Sequence, residues 1–464
     1  MENLTAERRH HRAERAGTIG AELSARDIIA VAVTWVDTSG ITRVKAVPVQ
    51  RFPHAAAWGV GAAPVFDAFL LDDSILTEHF AGGPTGDLRL YPDLDRVTVL
   101  AALPGWAWAP ADRYTQSGTA HPRDSRLLLR RLVDEFGVDG WTLRTAIEFE
   151  WNVSRPDPGD PDRFRPATTA PAYGMARLGE LSGYLRDVVS LLRDSGVAVE
   201  QIHPEYEQGQ FELSVAASDP VRTADTAVLV REVIRAAGTA HGLRSVFGPM
   251  AAADVVGNGG HIHLSLWREG VNQMSGGSGP FGITTAGQGF AAGVLEHLPA
   301  LLALGCPSVA SYLRLRPSAW AGAYRCWGLE NREAALRYIS GSVGEHEHAG
   351  NIEVKAFDSA ANPYLALAGL LAAGRAGIHG EAVLPEPVAG DPDRLAPETR
   401  AARGIDPLPG SLADAVAAFE SDAVLGAALG AELVDTIAAV RRGEIALFAD
   451  ATPEQITAAS RWRY

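Results

Sequence analysis

Four short segments of this chain alternate between apolar and polar residues, and this alternation constrains the fold most strongly. They read TAIEFEW (145–151), GQFELSV (209–215), GHIHLSLW (260–267) and NIEVKAF (351–357). Successive side chains of a β-strand point to opposite faces, so each segment predicts a strand with one apolar face. The opposite faces carry Glu148, Glu150, Gln210, Glu212, His261, His263, Ser265, Glu353 and Lys355. One such strand is typical of a sheet with a water-facing side, whereas four of them predict a shared polar face.

A shared face with this many carboxylates needs positive charge. Like charges that converge repel each other unless cations lie between them. Hard divalent ions such as Mg²⁺ or Mn²⁺ prefer carboxylate oxygens with an occasional imidazole. Glu205 and Glu207, in IHPEYEQGQFE, are close by in the sequence and extend the set of acids. The pattern therefore predicts a binding site for divalent metal ions.

A second stretch, LRLRPSAWAGAYRCWGLENREAALRY (313–338), contains five arginines although the chain is acidic. Arginine binds phosphate and carboxylate groups through paired hydrogen bonds. Mg²⁺ in proteins usually binds substrate phosphates as well, so the two features together predict phosphoryl transfer from a nucleotide. The sequence has no G-x-x-x-x-G-K-[ST] motif, so this site would work without a Walker loop.

The charge balance argues against two kinds of partner. The chain has 41 Lys and Arg against 56 Asp and Glu, a net charge of −15, which disfavours nucleic acids and anionic membranes. We find no run of about 18 apolar residues that would span a membrane, and the polar N-terminal sequence has no apolar signal core. Cys306 and Cys326 form neither a disulfide framework nor a zinc pattern. A reducing cytoplasm is the expected location.

The order of the predicted elements indicates an α+β chain with two domains. A charged N-terminal segment, 1–25, precedes a predicted hairpin of DIIAVAVTWVD and ITRVKAVPV joined by TSG. This hairpin opens a small domain, 26–118, whose last part, rich in Pro, Gly and Trp up to Tyr114, is typical of a linker or domain edge. A larger domain, 119–464, begins with the helix PRDSRLLLRRLVDEFG and ends in a helix-rich third. Its longest helical pattern is SLADAVAAFESDAVLGAALGAELVDTIAAVRRGE.

The order of these motifs resembles that of the glutamine synthetase superfamily, bacterial type. The elements E-x-E, G-Q-x-E, G-x-H-x-H-x-S, N-R-x-A-A-x-R and I-E-V-(R/K) followed by A-N-P-Y-L occur in family order along nearly the whole chain. The resemblance implies a small N-terminal β-grasp domain and a catalytic domain with a curved antiparallel sheet and surrounding helices. It also implies homo-oligomers of two stacked hexameric rings, with each active site between two subunits. Family members use ATP to phosphorylate the γ-carboxylate of L-glutamate and then let an amine displace the phosphate.

The resemblance assigns expected roles residue by residue. Two or more Mg²⁺ or Mn²⁺ ions per site are implied. Glu150, Glu205 and Glu212 match the ligands of one metal ion, and Glu148, His261 and Glu353 match those of the ion that contacts the ATP phosphates. His263 and Ser265 match nucleotide contacts, Arg314 and Gly257 match substrate contacts, and Arg332 and Arg337 match the arginines that clamp the transferred phosphate.

The departures from the family pattern concern the amine. Counting three residues after Pro317 places Trp320 where an ammonia-using member has a glutamate. The ammonium-binding F-D-G-S-S stretch reads FDAFL, which keeps Asp67 but has Leu70 at a serine position. Both changes weaken a site for a small hydrated cation, whereas an indole attracts an alkylammonium and packs on its methylene groups. The alternatives are that Trp320 is ordinary packing or marks a decayed active site.

Three further departures affect the substrate side. Lys355 stands where the family usually has an arginine that contacts glutamate, which keeps the charge but loses the planar fork. The family's loop asparagine is Val256 in VGNGGH, so an acid other than glutamate stays possible. Glu207 is unusual in its motif, and we interpret it either as an amine-binding acid or base or as a solvated or structural acid.

In these features the sequence resembles members of the γ-glutamylamide and γ-glutamylpolyamine synthetase branch of the superfamily. The first hypothesis is therefore an ATP- and Mg²⁺-dependent ligase that joins glutamate to a primary amine, with a small alkylamine such as ethanolamine preferred. A polyamine-specific ligase is its alternative. The second hypothesis is a glutamine synthetase with a rebuilt ammonia site. The third is a catalytically dead assembly or regulatory protein on the same scaffold.

Overall fold

The predicted N-terminal hairpin is present and belongs to the smaller of two sheets. A computed structural model describes residues 5–76 and 85–464, so residues 1–4 of the predicted N-terminal segment lie outside the described part. The small sheet has the order β2-β1-β6-β4-β3, and β5 pairs with β6. Its strands are β1 (Ala30–Val36), β2 (Thr42–Pro48), β3 (Val60–Ala62), β4 (Leu88–Pro92), β5 (Thr98–Val99) and β6 (Trp106–Thr115). Strands β1 and β6 are parallel, and the other pairs are antiparallel.

Two helices, α1 (Ala6–Ser24) and α2 (Phe52–Trp58), pack against this sheet. The charged N-terminal segment thus forms a helix whose buried residues, including Ala16 and Leu23, join the small core. The Trp-rich stretch predicted as a linker is instead β6, the central strand of the sheet. Its three alanines are buried together with Trp108 and Tyr114, whereas Trp106 at the start of the strand is exposed.

The four alternating segments all lie in a nine-stranded sheet of the order β13-β14-β15-β11-β7-β9-β8, with β10 and β12 at its sides. The strands are β7 (Thr142–Ser154), β8 (Val199–Pro204), β9 (Gln210–Val215), β10 (Arg244–Val246), β11 (Gly260–Arg268), β12 (Val271–Asn272), β13 (Tyr324–Leu329), β14 (Ala334–Ile339) and β15 (Asn351–Val354). The sheet is antiparallel as expected, except that β13 and β14 are parallel.

The larger domain has the helices α3 (Ser125–Val138), α4 (Met175–Glu180), α5 (Ser182–Asp194), α6 (Pro220–Ala240), α7 (Thr285–Gly305), α8 (Ser311–Arg314), α9 (His346–Ala349), α10 (Pro363–His379), α11 (Pro397–Ala402), α12 (Leu412–Ser421), α13 (Ala423–Leu429), α14 (Ala431–Leu447) and α15 (Pro453–Ser460). Helices α9 and α11 have no buried residues, whereas buried side chains of α3, α5, α6, α7, α10, α12, α13 and α14 belong to the core on the apolar face of the sheet. Ile147, Phe211, Leu264 and Ile352, from the four alternating segments, pack into the same core as these helices. Each such side chain contributes about 1.5–3 kcal/mol on burial, so the apolar faces fix which way the polar faces point.

The long helical pattern near the C-terminus is broken into three helices rather than one. Asp422 accepts a hydrogen bond from the N–H of Leu425 and caps α13, while Gly430 adopts a φ of 84° between α13 and α14. Among the described residues no single helix is long and apolar enough to cross a membrane. Helices α13 and α14 are long and apolar enough only when taken together, and the chain bends by 112° between them. Both helices contribute side chains to the core.

The turn of the β1–β2 hairpin docks against the large domain. Gly40 has a φ of 85°, and a Cβ there would lie 2.0 Å from the carbonyl oxygen of Ala360. Asn362 caps α10 and also donates from its amide to the carbonyls of Val36 and Asp37. The predicted domain bounds at 118 and 119 fall between the end of β6 and the start of α3, and they stay a prediction.

Candidate active site

Strand register brings the predicted site residues face to face. Antiparallel pairing sets Glu148 of β7 opposite His261 of β11, and His263 opposite Glu353 of β15. On the other side of β7, Glu150 pairs with Glu212 of β9. Directly opposed residues have Cβ atoms about 4.5–5.5 Å apart. The convergence predicted from alternation is therefore a direct consequence of register.

The first group of ligand-type atoms comes from Glu148, His261 and Glu353. His261 Nδ1 lies 3.3 Å from Glu148 Oε2 and 3.4 Å from Glu353 Oε1. His261 and Glu353 are buried, and Glu148 is partly buried. His263 adds a second imidazole, with Nε2 3.3 Å from Glu148 Oε1.

A second group continues from the first across the sheet. Glu150, Glu212 and His261 place one candidate ligand atom each within 4.8 Å of one another, as do His203, Glu205 and Glu212. His203 Nε2 lies 3.3 Å from Glu212 Oε1. His203 was not among the predicted ligands; it lies on β8, and Glu205 follows directly after the end of this strand.

The electrostatics of the site show how strongly these groups interact. Burial opposes the ionisation of Glu148, but His261 and His263, each with a ring nitrogen 3.3 Å from one of its carboxylate oxygens, hold its pKa well below the usual range. Burial also opposes charge on His263, yet the neighbouring Glu148 raises the pKa of that imidazole to about 9. Burial and the charge of Glu150 raise the pKa of Glu205. Positive charge placed here is therefore strongly stabilised.

The donor set fits hard divalent cations. Five carboxylates and two imidazoles, from Glu148, Glu150, Glu205, Glu212, Glu353, His203 and His261, supply oxygen and nitrogen atoms in three overlapping groups. Mg²⁺ and Mn²⁺ bind such oxygen-rich sets with an occasional imidazole. Within the described residues, the histidines and two basic side chains, Arg337 and Lys355, are paired with these carboxylates.

The two predicted phosphate arginines differ in position. Arg337, on β14, lies opposite Glu353 in register; its Nη1 is 3.1 Å from Glu353 Oε2, and its Nη2 is 2.5 Å from Glu330 Oε2. Arg332 is exposed in the turn between β13 and β14 and forms no ion pair with any residue that the structure describes. The structure thus brings Arg337 to the first group of ligands and leaves the guanidinium of Arg332 facing solvent.

The predicted glutamate-binding residues lie beside the first group. Lys355 is buried, and its Nζ lies 3.1 Å from Glu353 Oε1. Arg314 is buried as well and donates to the carbonyls of Lys355 and Ala356. Gly257 and Gly259 pack directly on Arg314: a Cβ on Gly257 would lie 2.7 Å from Arg314 Cγ. These glycines permit the close approach of their loop to the arginine.

The two predicted nucleotide contacts occupy the edge of the polar face. His263 Nδ1 lies 3.0 Å from Asn351 Oδ1, which fixes the ring between Asn351 and Glu148. Ser265 is buried, and its hydroxyl accepts a hydrogen bond from Trp267 Nε1 at 2.8 Å. The serine is therefore held by a structural partner in this conformation.

Trp320 lies on the loop between α8 and β13 and is 59% exposed, which rules out ordinary core packing. Ser318 and Trp320 both have left-handed backbone conformations, with φ of 54° and 53°. The N–H of Trp320 donates to Glu333 Oε1 at 2.9 Å. Gly322 of the same loop comes close to Lys355, since a Cβ there would lie 3.3 Å from Lys355 Cβ.

Asp67 and Glu207, the two candidate amine-binding acids, are both engaged elsewhere. Asp67 is buried, with its two carboxylate oxygens 2.5 Å from Arg113 Nη1 and 2.7 Å from His121 Nε2. The structure does not bring it to the ligand groups. Glu207 accepts hydrogen bonds from the backbone N–H groups of Gln208 and Val256, so it links two loops. This geometry favours the structural interpretation of Glu207.

One residue that the sequence did not reveal organises the loop carrying Glu205. Arg177 of α4 is 2% exposed, and its guanidinium donates to the carbonyls of Ala170, Glu205, Tyr206 and Glu207. Tyr173 donates its hydroxyl to Glu205 Oε2 at 2.8 Å. A single arginine inside a short helix gives no sequence signal for this role.

The chain belongs to the glutamine synthetase family. A family model for the glutamine synthetase catalytic domain matches residues 122–459, and members of this family are ATP-dependent ligases that generally use divalent metal ions. The protein is accordingly an ATP-dependent carboxylate–amine ligase of this family.

Two curated relatives and one solved structure are similar over most of the chain. Gamma-glutamylpolyamine synthetase GlnA3 of Streptomyces coelicolor is 53% identical over 97% of each chain. Glutamate–methylamine ligase of Methyloversatilis universalis is 31% identical, over 85% of this chain and 88% of its own length. The crystal structure of a novel glutamine synthase homolog superimposes with a TM-score of 0.84 at 34% identity, covering 94% of this chain and 99% of the other.

Proposed function

We propose that this protein joins the γ-carboxylate of L-glutamate to one amino group of a polyamine, with ATP converted to ADP and phosphate. The observation that carries the proposal is the combination of the ligand groups on the sheet with an exposed indole at the position of an ammonia-binding acid. The similarity to a γ-glutamylpolyamine synthetase supports a polyamine over ethanolamine, the amine that the sequence favoured.

The first step would transfer a phosphoryl group to glutamate. The γ-carboxylate oxygen attacks the terminal phosphorus of ATP, ADP leaves, and γ-glutamyl phosphate forms. Divalent ions held by the carboxylates and His261 would neutralise the phosphate charges. Arg337, whose guanidinium lies against Glu353, and Arg332, whose guanidinium is free of described ion pairs, would bind the transferred group. Arg314 and Lys355 would hold the substrate acid beside them.

The second step would form the amide. A neutral amine nitrogen attacks the carbonyl carbon of γ-glutamyl phosphate, the C–O bond to phosphate breaks, and the amine's extra proton leaves to water or a base. An indole without a carboxylate beside the reacting nitrogen gives little advantage to ammonium. It instead packs against the methylene chain of an organic amine and attracts its cationic end. The exposed ring of Trp320 meets both requirements.

A phosphate-release assay with ATP, Mg²⁺ and glutamate tests this function. The amines are ammonia, methylamine, ethanolamine, putrescine, spermidine and aniline, each with and without glutamate. We expect release that depends on both glutamate and amine, with putrescine or spermidine at least about tenfold above ammonia in kcat/KM, the ratio expected from one cation–π contact plus buried methylene groups. Equal or greater activity with ammonia would overturn the proposal.

The oligomer is part of the proposal. We expect two stacked hexameric rings, because the family resemblance places each active site between subunits. Light scattering combined with size-exclusion chromatography measures the mass directly. A monomer with full activity would contradict this part.

A further inference from the structure

The loop that carries Trp320 is joined to a second acid. The N–H of Trp320 donates to Glu333 Oε1 at 2.9 Å. Within the described part of the chain, Glu333 Oε2 accepts no hydrogen bond. The side chain is partly buried, and it follows Arg332 directly in the turn between β13 and β14. One carboxylate oxygen thus positions the backbone of the loop at Trp320, while the other accepts no hydrogen bond from any described residue.

Two further acids, Asp391 and Asp393, act on the carboxylate of Glu333. Burial, together with the charges of Asp391 and Asp393, raises the pKa of this carboxyl, and only the hydrogen bond from Trp320 and the charge of Lys355 oppose them. Asp391 is fixed nearby because Ser318 Oγ donates to its Oδ2 at 2.8 Å. Arg394 and Arg400 lie 3.8 Å from Asp391 and Asp393 and compensate those two acids in part. A further cation beside Glu333 would therefore lower the free energy of its charged form.

The position of Glu333 relative to the reacting centre decides which amino group of a substrate it could bind. Lys355 bonds Glu353 of the first ligand group at 3.1 Å and also interacts electrostatically with Glu333. Strand register gives the order of these residues: Arg337 lies opposite Glu353, and the N–H of Lys355 donates to the carbonyl of Ala335 at 3.0 Å. Glu333 is two residues further along the chain from Ala335 in the direction away from Arg337, so it lies beyond Lys355 as seen from Glu353. A nitrogen that attacks γ-glutamyl phosphate must be neutral and close to those groups. A cation at Glu333 is a different nitrogen from the one that reacts.

We infer that Glu333 binds the distal ammonium group of a diamine or polyamine, with its methylene chain lying along the indole of Trp320. Glu333 is a specificity-determining residue in this scheme, because it recognises a charge that monoamines lack. The inference rests on the proposed function and assigns the selectivity for polyamines over alkylamines to one carboxylate.

The test compares putrescine with butylamine, which has the same four-carbon chain and no second charge. E333Q keeps an oxygen acceptor for the N–H of Trp320 and removes only the negative charge. We expect KM for putrescine to rise about tenfold with kcat changed less than about twofold, the pattern of lost uniform binding. KM for butylamine, glutamate and ATP should stay within about twofold.

E398Q is the matched control, since Glu398 is exposed on the neighbouring helix α11 and has no role in the site; it should leave every constant unchanged. Equal losses with putrescine and butylamine would show that Glu333 only supports the loop, and an unchanged KM for putrescine would also overturn the inference. Failure of the wild-type protein to release phosphate with any amine would overturn the proposed function instead. A thermal melt confirms that E333Q is folded.

Discussion

The nine-stranded sheet and the loop that carries Trp320 hold their candidate site residues in contrasting ways. The ligand-type residues lie on paired strands, are buried or partly buried, and face one another through backbone register. Trp320 lies on a loop, is exposed, and is held by one hydrogen bond and two left-handed residues. In the proposed function, the rigid sheet would position the phosphoryl transfer, and a loop that can change without disturbing the core would select the amine.

Removing a ligand from the sheet should have the largest effect. In E212Q the carboxylate shared by two ligand groups loses its charge, so we expect activity to fall by about a hundredfold or more and the Mg²⁺ requirement to rise. Phosphate release measured over a Mg²⁺ titration checks both. Glu200 of β8 is exposed, and E200Q is the control that should behave as wild type. Full activity in E212Q at the wild-type Mg²⁺ concentration would show that the sheet does not hold the metal.

A change in the loop should redirect the reaction rather than stop it. W320E restores an acid where ammonia-using relatives of the family have one, so we expect kcat/KM for putrescine to fall about tenfold and activity with ammonia to appear. The ratio of the two kcat/KM values is the measurement. If both amines lose activity equally, Trp320 only stabilises the loop and the contrast between sheet and loop fails.

Weakening the support of the loop that carries Glu205 should have a smaller effect, a loss of metal affinity. In R177K a single ammonium replaces the planar guanidinium that donates to four carbonyls, so Glu205 would be less well fixed. We expect apparent Mg²⁺ affinity to fall about tenfold, with little change in KM for the amine. Isothermal titration with Mn²⁺ reports the affinity independently of turnover. A changed amine KM with unchanged metal affinity would contradict this assignment.

The smallest effect is expected far from both regions, at the contact of α7 with α13. His297 Nδ1 lies 2.6 Å from Asp422 Oδ2, and the bond raises the pKa of His297 while it lowers that of Asp422. The histidine's contribution to stability is complete below its unfolded pKa of about 6.5 and is lost as pH rises through the higher folded value. The aspartate's contribution is complete above about 3.9 and is lost as pH falls through the lower folded value.

Thermal melts of wild type and H297Q between about pH 5 and pH 9 measure how much the His297–Asp422 pair contributes to the free energy of unfolding. We expect H297Q to lose about 1 kcal/mol of unfolding free energy near pH 5 and less near pH 9. Activity of the folded variant should not change. A difference in stability that is the same at both values of pH would mean that the imidazole packs in the site without its charge contributing.

The contrast between sheet and loop also explains which parts of the site were predictable. Alternation along a strand fixes a side chain's face locally, so the convergence of Glu148, Glu212 and His261 could be predicted before their register was known. His203 carried no such signal, because no alternating pattern marks the short strand β8 on which it lies. The roles of Arg177 and Glu333 depend on carbonyls and loop conformations brought together from distant segments, which no local pattern contains. The parallel pairing of β13 with β14 likewise depends on tertiary packing.

The docking of the β1–β2 hairpin has a consequence for how this protein can be recombined with its relatives. The backbone at Gly40 lies so close to Ala360 that no side chain fits at this position. The side-chain amide of Asn362 donates hydrogen bonds to the carbonyls of Val36 and Asp37. Ala360 and Asn362 belong to the short segment that follows Glu353 and Lys355 in the chain. A chimera that takes the small sheet from one homologue and the large sheet from another must therefore inherit the hairpin glycine and the asparagine as a matched pair. Otherwise the poor fit between the hairpin and the segment after β15 would displace β15, the strand that contains Glu353.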